Sequence, residues 1–171
     1  MRDKYCWVIG GGLLQIPVVE EIHKMGYGAI LSDKDPNCVC ADKVEGFHNI
    51  DIHDIPAHIK AGLAIKDDIK AVVAAGIDAP VTQAKLAETL GLPNAGSDIA
   101  EMLHNKGQMR RLLNILQMPS PIYWVVKKGE QCPITKLSMD VVVKPCLNSG
   151  SRGLTIVPKD SYPLDLYKDV S

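Results

Sequence analysis

Tyr5-Cys6-Trp7-Val8-Ile9-Gly10-Gly11-Gly12-Leu13-Leu14-Gln15 decides the fold. Five apolar residues run without a break and stop at three glycines, which is the pattern of a strand buried on both faces of a parallel sheet. Leu14, Val18, Ile22 and Met25 then recur at helical spacing. Pro17 falls in the first turn, where a missing N–H costs nothing, and Gly26 stands where a helix ends. Strand, glycine turn and helix in that order make a βα unit.

The same alternation continues outward. Ala29-Ile30-Leu31 reads as the next strand, ending at Ser32-Asp33, and a looser stretch follows through Cys40 and Phe47. Ile55 to Ile65 reads as a helix. Ala71 to Ala75 reads as a third buried strand, ending at Gly76-Ile77-Asp78. Pro80 and Gly91 bracket a further helix. Strands alternating with helices predict a doubly wound parallel sheet of the α/β class over residues 1–96.

The character then changes. Asp98, with Glu101 three positions on, suits the cap of one long helix. Its apolar stripe is Ile99, Met102, Leu103, Met109, Leu112, Leu113 and Leu116, and it stops before Met118-Pro119-Ser120-Pro121. Residues 97–119 are thus expected to form a linker helix. Ile122–Val126, Val141–Lys144 and Leu154–Val157 read as strands, the last two joined as a hairpin by Leu147-Asn148-Ser149-Gly150-Ser151-Arg152-Gly153. Residues 120–171 are expected to be part of a second, α+β domain that the chain does not complete, with a helix starting near Asp160.

Bulk properties narrow the function. A hydrophobic content of 46% with 23% charged residues describes a folding chain rather than a disordered one. A net charge of −1 argues against nucleic-acid or membrane-surface binding driven by charge. The five cysteines lack Cys-x-x-Cys spacing and read as reduced intracellular thiols. No leader and no membrane-length apolar run is evident, so a cytoplasmic location is expected. His48, His53 and His58 recur every five residues, which is not a helical ligand spacing, and read as surface residues along with His23 and His104.

Three places could carry chemistry. Gly10-Gly11-Gly12, between strand and helix, suits an anion, and Asp33 ends the second strand where a dinucleotide fold places its ribose-binding acid. Gln15 occupies the position of that fingerprint's third glycine, which leaves three readings: NAD(P) binding, a turn needing positive φ, or a small carboxylate or phosphate held by the turn with Gln15 in contact. Of these, the last is preferred. The second place is Lys144, which leaves a strand beside Pro145, followed by a loop of glycines, serines and Asn148 near Arg152. Such a loop folds over phosphates, or is simply a hairpin turn. The third is Lys106 with Arg110, which share a helix face at i, i+4 and would alone be a solvated face.

Taken in order, the glycine turn, Ser97, Asn105-Lys106, Met109-Arg110, Pro119-Ser120-Pro121, Val143-Lys144-Pro145 and Ser149-Gly150-Ser151-Arg152-Gly153 resemble the ATP-grasp superfamily of carboxylate–amine or carboxylate–thiol ligases. The nearest flavour is the group of the carbamoyl-phosphate synthase large subunit, biotin carboxylase and the purine-biosynthesis carboxylases. Asn105 stands where that family usually shows Asp. The resemblance implies a Rossmann-like domain before the ATP-grasp portion, and ATP and magnesium as ligands. Lys106 and Lys144 would be the two ATP lysines, and Ser149, Gly150, Ser151, Arg152 and Gly153 the loop that closes over the β- and γ-phosphates. Gly11, Gly12, Gln15, Asp33 and Asp78 would form the side facing a small carboxylate substrate. It further implies that the magnesium ligands lie beyond Ser171, that this stretch alone is inactive, and that an exposed incomplete domain would favour self-association. A non-catalytic nucleotide- or metabolite-binding module and an NAD(P)-binding oxidoreductase domain remain the alternatives.

Overall fold

Four parallel strands form the first sheet: β1 (Tyr5–Ile9), β2 (Gly28–Asp33), β3 (Gly46–Asn49) and β4 (Ile69–Val73). Their order across the sheet is β3-β2-β1-β4. The structure, a computed structural model, describes residues 4–130, 134, 137–148 and 150–161. It divides into two compact units, residues 1–101 and 102–171. Cys132, Ser149 and the helix expected after Asp160 lie wholly or mainly outside the described residues.

In the first unit, alternation along β1 builds two cores. Trp7 and Ile9 point to one face, where Ile30, Ile69 and Val72 meet Leu86, Ala87 and Leu90 from α3 (Pro80–Thr89). Cys6 and Val8 point to the other, where Ala29 and Leu31 meet Val19 and Ile22 from α1 (Ile16–Lys24). Helices cover both faces, so the doubly wound reading holds. Helix α2 (Ile55–Ala64) is capped by Asp54, whose side chain accepts from the Ala57 N–H at 3.0 Å. The expected apolar stripe of α1 is displaced. Leu14 precedes the helix in a short 3₁₀ turn (Leu13–Gln15), and both Leu14 and Met25 are exposed, whereas Val19 and Ile22 carry the packing. Strand β4 begins two residues earlier than expected, and β3 lies inside the stretch that reads as loose.

His58 corrects the surface reading of the histidines. It is fully buried on α2, and its Nδ1 lies 2.8 Å from the Asp54 carbonyl oxygen. A carbonyl only accepts, so Nδ1 carries the proton and Nε2 is the acceptor. The Ser32 hydroxyl donates to that Nε2 at 2.8 Å and accepts from the Trp7 indole N–H at 3.0 Å. His48, half-buried, stacks on Trp7 with ring centroids 4.8 Å apart. The Ser32–His58 pair has the connectivity of a nucleophile and its base, but burial denies it a substrate and makes it a structural clasp between β2 and α2.

Burial pushes the His58 pKa down from 6.5, partly opposed by the Asp54 hydrogen bond, and burial lowers His48 as well. A histidine held neutral in the fold and free to protonate when unfolded contributes stability that is complete above pH 6.5 and lost as pH falls below it. The urea midpoint is therefore expected to drop between about pH 7 and about pH 5, and His58→Gln should flatten that slope.

The expected single helix over 97–119 is two: α4 (Ser97–His104) and α5 (Lys106–Ile115). Asn105 breaks it by capping α5, its Oδ1 accepting from the Gly107 and Gln108 N–H groups at 3.0 and 3.1 Å. The start of α4 is Ser97, with Asp98 inside the first turn. Lys85 pairs with Glu101 at 2.7 Å, both partly exposed. In the second unit, β5 (Val141–Val143) and β6 (Thr155–Val157) form an antiparallel hairpin with Val142 opposite Ile156. β5 is not buried as expected: Val142 is 55% exposed and Ile156 65%, while Val157 and Leu137 on the inner side are buried. Residues 122–126 take no strand pairing. Among the described residues no helix is long and apolar enough to cross a membrane.

Candidate functional site

The carboxyl ends of β1 and β4 meet where the strand order reverses, the position at which open α/β sheets bind ligands. The glycine turn lies there, but much of its polarity is already spent. The Gly10 N–H donates to the Ser32 carbonyl at 2.7 Å, and the Gly11 N–H to Asp33 Oδ2 at 2.8 Å. Asp33 Oδ1 accepts from the Asp35 N–H at 2.9 Å, so both its oxygens organise backbone. Gln15 is buried and donates its amide to the Ala75 carbonyl, tying the glycine turn to the exit of β4. Asp78 is half-buried in the loop after β4. The structure thus brings Gly11, Asp33 and Gln15 together, and shows Gln15 and Asp33 as internal ties of the turn.

The turn itself is tight. Gly10 has φ +86°, and a Cβ there would strike Ile77 Cδ1. At Gly11 a Cβ would meet Cys38 Sγ and come within 2.8 Å of Leu31 Cδ2. The Cys38 thiol is held above its usual range by burial and then by the Asp33 carboxylate, so it is a packing group rather than a nucleophile. Gly10→Ala is expected to lose about 2–4 kcal/mol, the sum of a left-handed backbone and an overfilled site. Denaturant unfolding checks this, and a loss under about 1 kcal/mol would mean that the turn yields.

The other candidates lie in the second unit. Lys106 is the first residue of α5, and its backbone N–H donates to the Cys146 carbonyl at 3.0 Å. Its ammonium reaches the Cys146 carbonyl at 3.5 Å and also the Asn148 carbonyl. The start of α5 is therefore joined to the segment that follows Lys144-Pro145. Close packing requires a small residue next: a Cβ at Gly107 would lie 3.2 Å from Val125 Cγ2 and 3.4 Å from Cys146 Sγ. Lys144 and Arg152 are exposed at the two ends of the same loop. Gly150, Ser151 and Gly153 all have positive φ (62°, 59° and 72°), and a Cβ at Gly153 would come within 2.9 Å of Pro145 Cγ. Gly153 thus packs back on Pro145. Ser149 lies outside the described residues. Arg110 follows one turn after Lys106 on α5.

The sequence reading named Asn105, Lys106, Lys144 and the loop, but not that Asn105 caps α5 or that Gly107 and Cys146 pack together at the same helix start. The signal was present in Asn105-Lys106-Gly107, a capping residue followed two positions later by one without a side chain.

No protein-family profile matches the chain. The uncharacterized protein y4rH of Sinorhizobium fredii (strain NBRC 101917 / NGR234) is 26% identical over 145 residues, which are 81% of this chain and 30% of that protein. Among solved structures, N5-carboxyaminoimidazole ribonucleotide synthetase from Thermotoga maritima matches 98% of this chain and 44% of its own, with 18% identity and a TM-score of 0.67. L-amino acid ligase from Bacillus licheniformis matches 99% and 42%, with 18% identity and a TM-score of 0.66. The biotin carboxylase domain of 2-oxoglutarate carboxylase from Hydrogenobacter thermophilus, solved with MgADP, ADP and bicarbonate, matches 98% and 40%, with 14% identity and a TM-score of 0.62. The chain spans less than half the length of each of these proteins. At these identities the likeness is one of fold: this chain folds like the matched portions of these three enzymes.

Proposed function

We propose that this chain is the phosphate-binding portion of an ATP-dependent carboxylate–amine or carboxylate–thiol ligase that works through an acyl-phosphate. The observation that carries the reading is the junction of Lys106 with the Cys146–Asn148 segment directly after Lys144, in a chain with the fold of ATP-grasp ligases. Two lysines and Arg152, borne by one helix start and one glycine loop, suit a polyphosphate. In this reading the γ-phosphoryl group passes from ATP to a carboxylate oxygen and ADP leaves. An amine or thiol then attacks the acyl carbon and expels phosphate. Lys106, Lys144 and Arg152 stabilise the negative charge, an electrostatic rather than acid–base role, and the loop excludes water. In the same reading Gly11, Gly12 and Asp78 lie on the side of a small-molecule substrate, with Asp33 and Gln15 bracing the turn.

Magnesium is a separate matter. Among the described residues no three His, Cys, Asp or Glu side chains converge on a possible metal position. In this reading the magnesium ligands come from other sequence, and these residues alone do not turn ATP over. The affiliation with the carbamoyl-phosphate synthase group and the cytoplasmic location belong to the same proposal. Calorimetric titration with ATP, comparing the native chain with Lys144→Met, tests it. Binding that the substitution weakens is expected, and equal heats in both proteins would remove Lys144 from the site.

A further inference from the structure

The start of α5 faces the loop with the polarity opposite to that of a phosphate cradle. A cradle offers N–H groups to an anion. Here the segment after Lys144 turns two carbonyl oxygens, those of Cys146 and Asn148, onto the Lys106 ammonium. The neighbouring donors are spent as well. The Lys106 N–H is held by the Cys146 carbonyl, and the Gly107 and Gln108 N–H groups by Asn105 Oδ1. Each group that a phosphate would take at this helix end already has a partner within the second unit.

We infer that Lys106 is a latch: it pins the Cys146–Asn148 segment, and a polyphosphate that takes the ammonium displaces those carbonyls. The physical reason is repulsion. A phosphate oxygen brought to the ammonium would sit beside two carbonyl oxygens that carry partial negative charge and aim at the same cation. An ion–ion contact outcompetes an ion–dipole contact in strength, so the carbonyls turn away. Their departure is also what lets the peptide groups of the loop present N–H rather than C=O. One residue then serves both as the restraint on the segment and as a phosphate ligand. The pinning stands on the contacts alone, and its release by a polyphosphate rests on the function proposed above.

The backbone N–H of residue 106 reports the latch directly, because it cannot exchange with solvent without leaving the Cys146 carbonyl. In Lys106→Met that N–H remains and the ammonium is gone. Amide exchange on the 171-residue chain, followed by NMR, is expected to show the residue-106 proton exchanging about tenfold faster in Lys106→Met. The Met109 amide, bonded to the Asn105 carbonyl in the same turn, should be unchanged. An unchanged residue-106 rate overturns the latch, as does an equal rise at Met109, which would mean that the helix end has merely frayed. Tripolyphosphate, with binding confirmed by calorimetry, is expected to speed the same proton in the native chain. Slower or unchanged exchange on binding would show that the loop closes without release, and that too overturns the latch. If neither tripolyphosphate nor ATP produces heat, the nucleotide reading fails, and the Lys106→Met comparison still decides whether the ammonium restrains the loop.

Discussion

Replacing Trp7 with alanine is expected to destabilise the first unit by about 3–5 kcal/mol, the usual loss for truncating a buried aromatic side chain. Trp7 sits on β1, between β2 and β4, and is fully buried. It packs against the cluster that includes Ile9, Ile30, Val72 and Leu86. Its loss leaves a cavity in a core formed by one sheet and the helices on it, and such a core cannot collapse without moving a strand. The substitution also removes the indole donor to Ser32 and the ring on which His48 stacks. Domains of this size have about 5–15 kcal/mol in all, so the variant should be marginal at room temperature. Urea unfolding followed by far-ultraviolet circular dichroism measures it, since the first unit loses its tryptophan with the substitution. Trp124→Ala is the control: that side chain is 51% exposed, and its removal should cost under about 1 kcal/mol. Equal losses at both positions would mean that β1 is not the centre of the core.

Most of the first unit was legible because glycine and proline punctuate it. β1 ends at the glycine turn, and Pro80 and Gly91 bound α3 as expected. The misses have particular causes. β3 is a short edge strand, Gly46-Phe47-His48-Asn49, with one strong hydrophobe and no fully buried residue, so it carries no apolar run. The break at Asn105 is invisible to periodicity because the apolar stripe continues on both sides of it. His58 looked solvated when it was compared with His48 and His53 at five-residue steps. Compared with Gly62, four positions on, it falls on the buried face of α2. At the candidate site, residue types pointed to Lys106, Lys144 and the loop. What they could not show is which backbone carbonyls the Lys106 ammonium meets, because that depends on how residues forty positions apart pack.

Lys144→Met is expected to weaken ATP binding at least about tenfold, the size of one lost charge-assisted hydrogen bond to phosphate. Lys144 follows β5 directly and is fixed at its base by Pro145, against which Gly153 packs. Its ammonium is exposed and begins the loop that Arg152 closes. Methionine keeps the aliphatic stem and removes only the charge, so the hairpin should be unaffected and circular dichroism unchanged. A loss of structure with the loss of binding would instead place Lys144 in the fold.

In the proposed function the second unit of this chain binds the phosphates of ATP. Calorimetric titration of the native chain with ATP, and separately with NADH, tests it most directly. The account predicts heat of binding with ATP, its sharp reduction in Lys144→Met, and none with NADH. Binding of NADH without ATP, or ATP binding that Lys144→Met leaves unaltered, would contradict it.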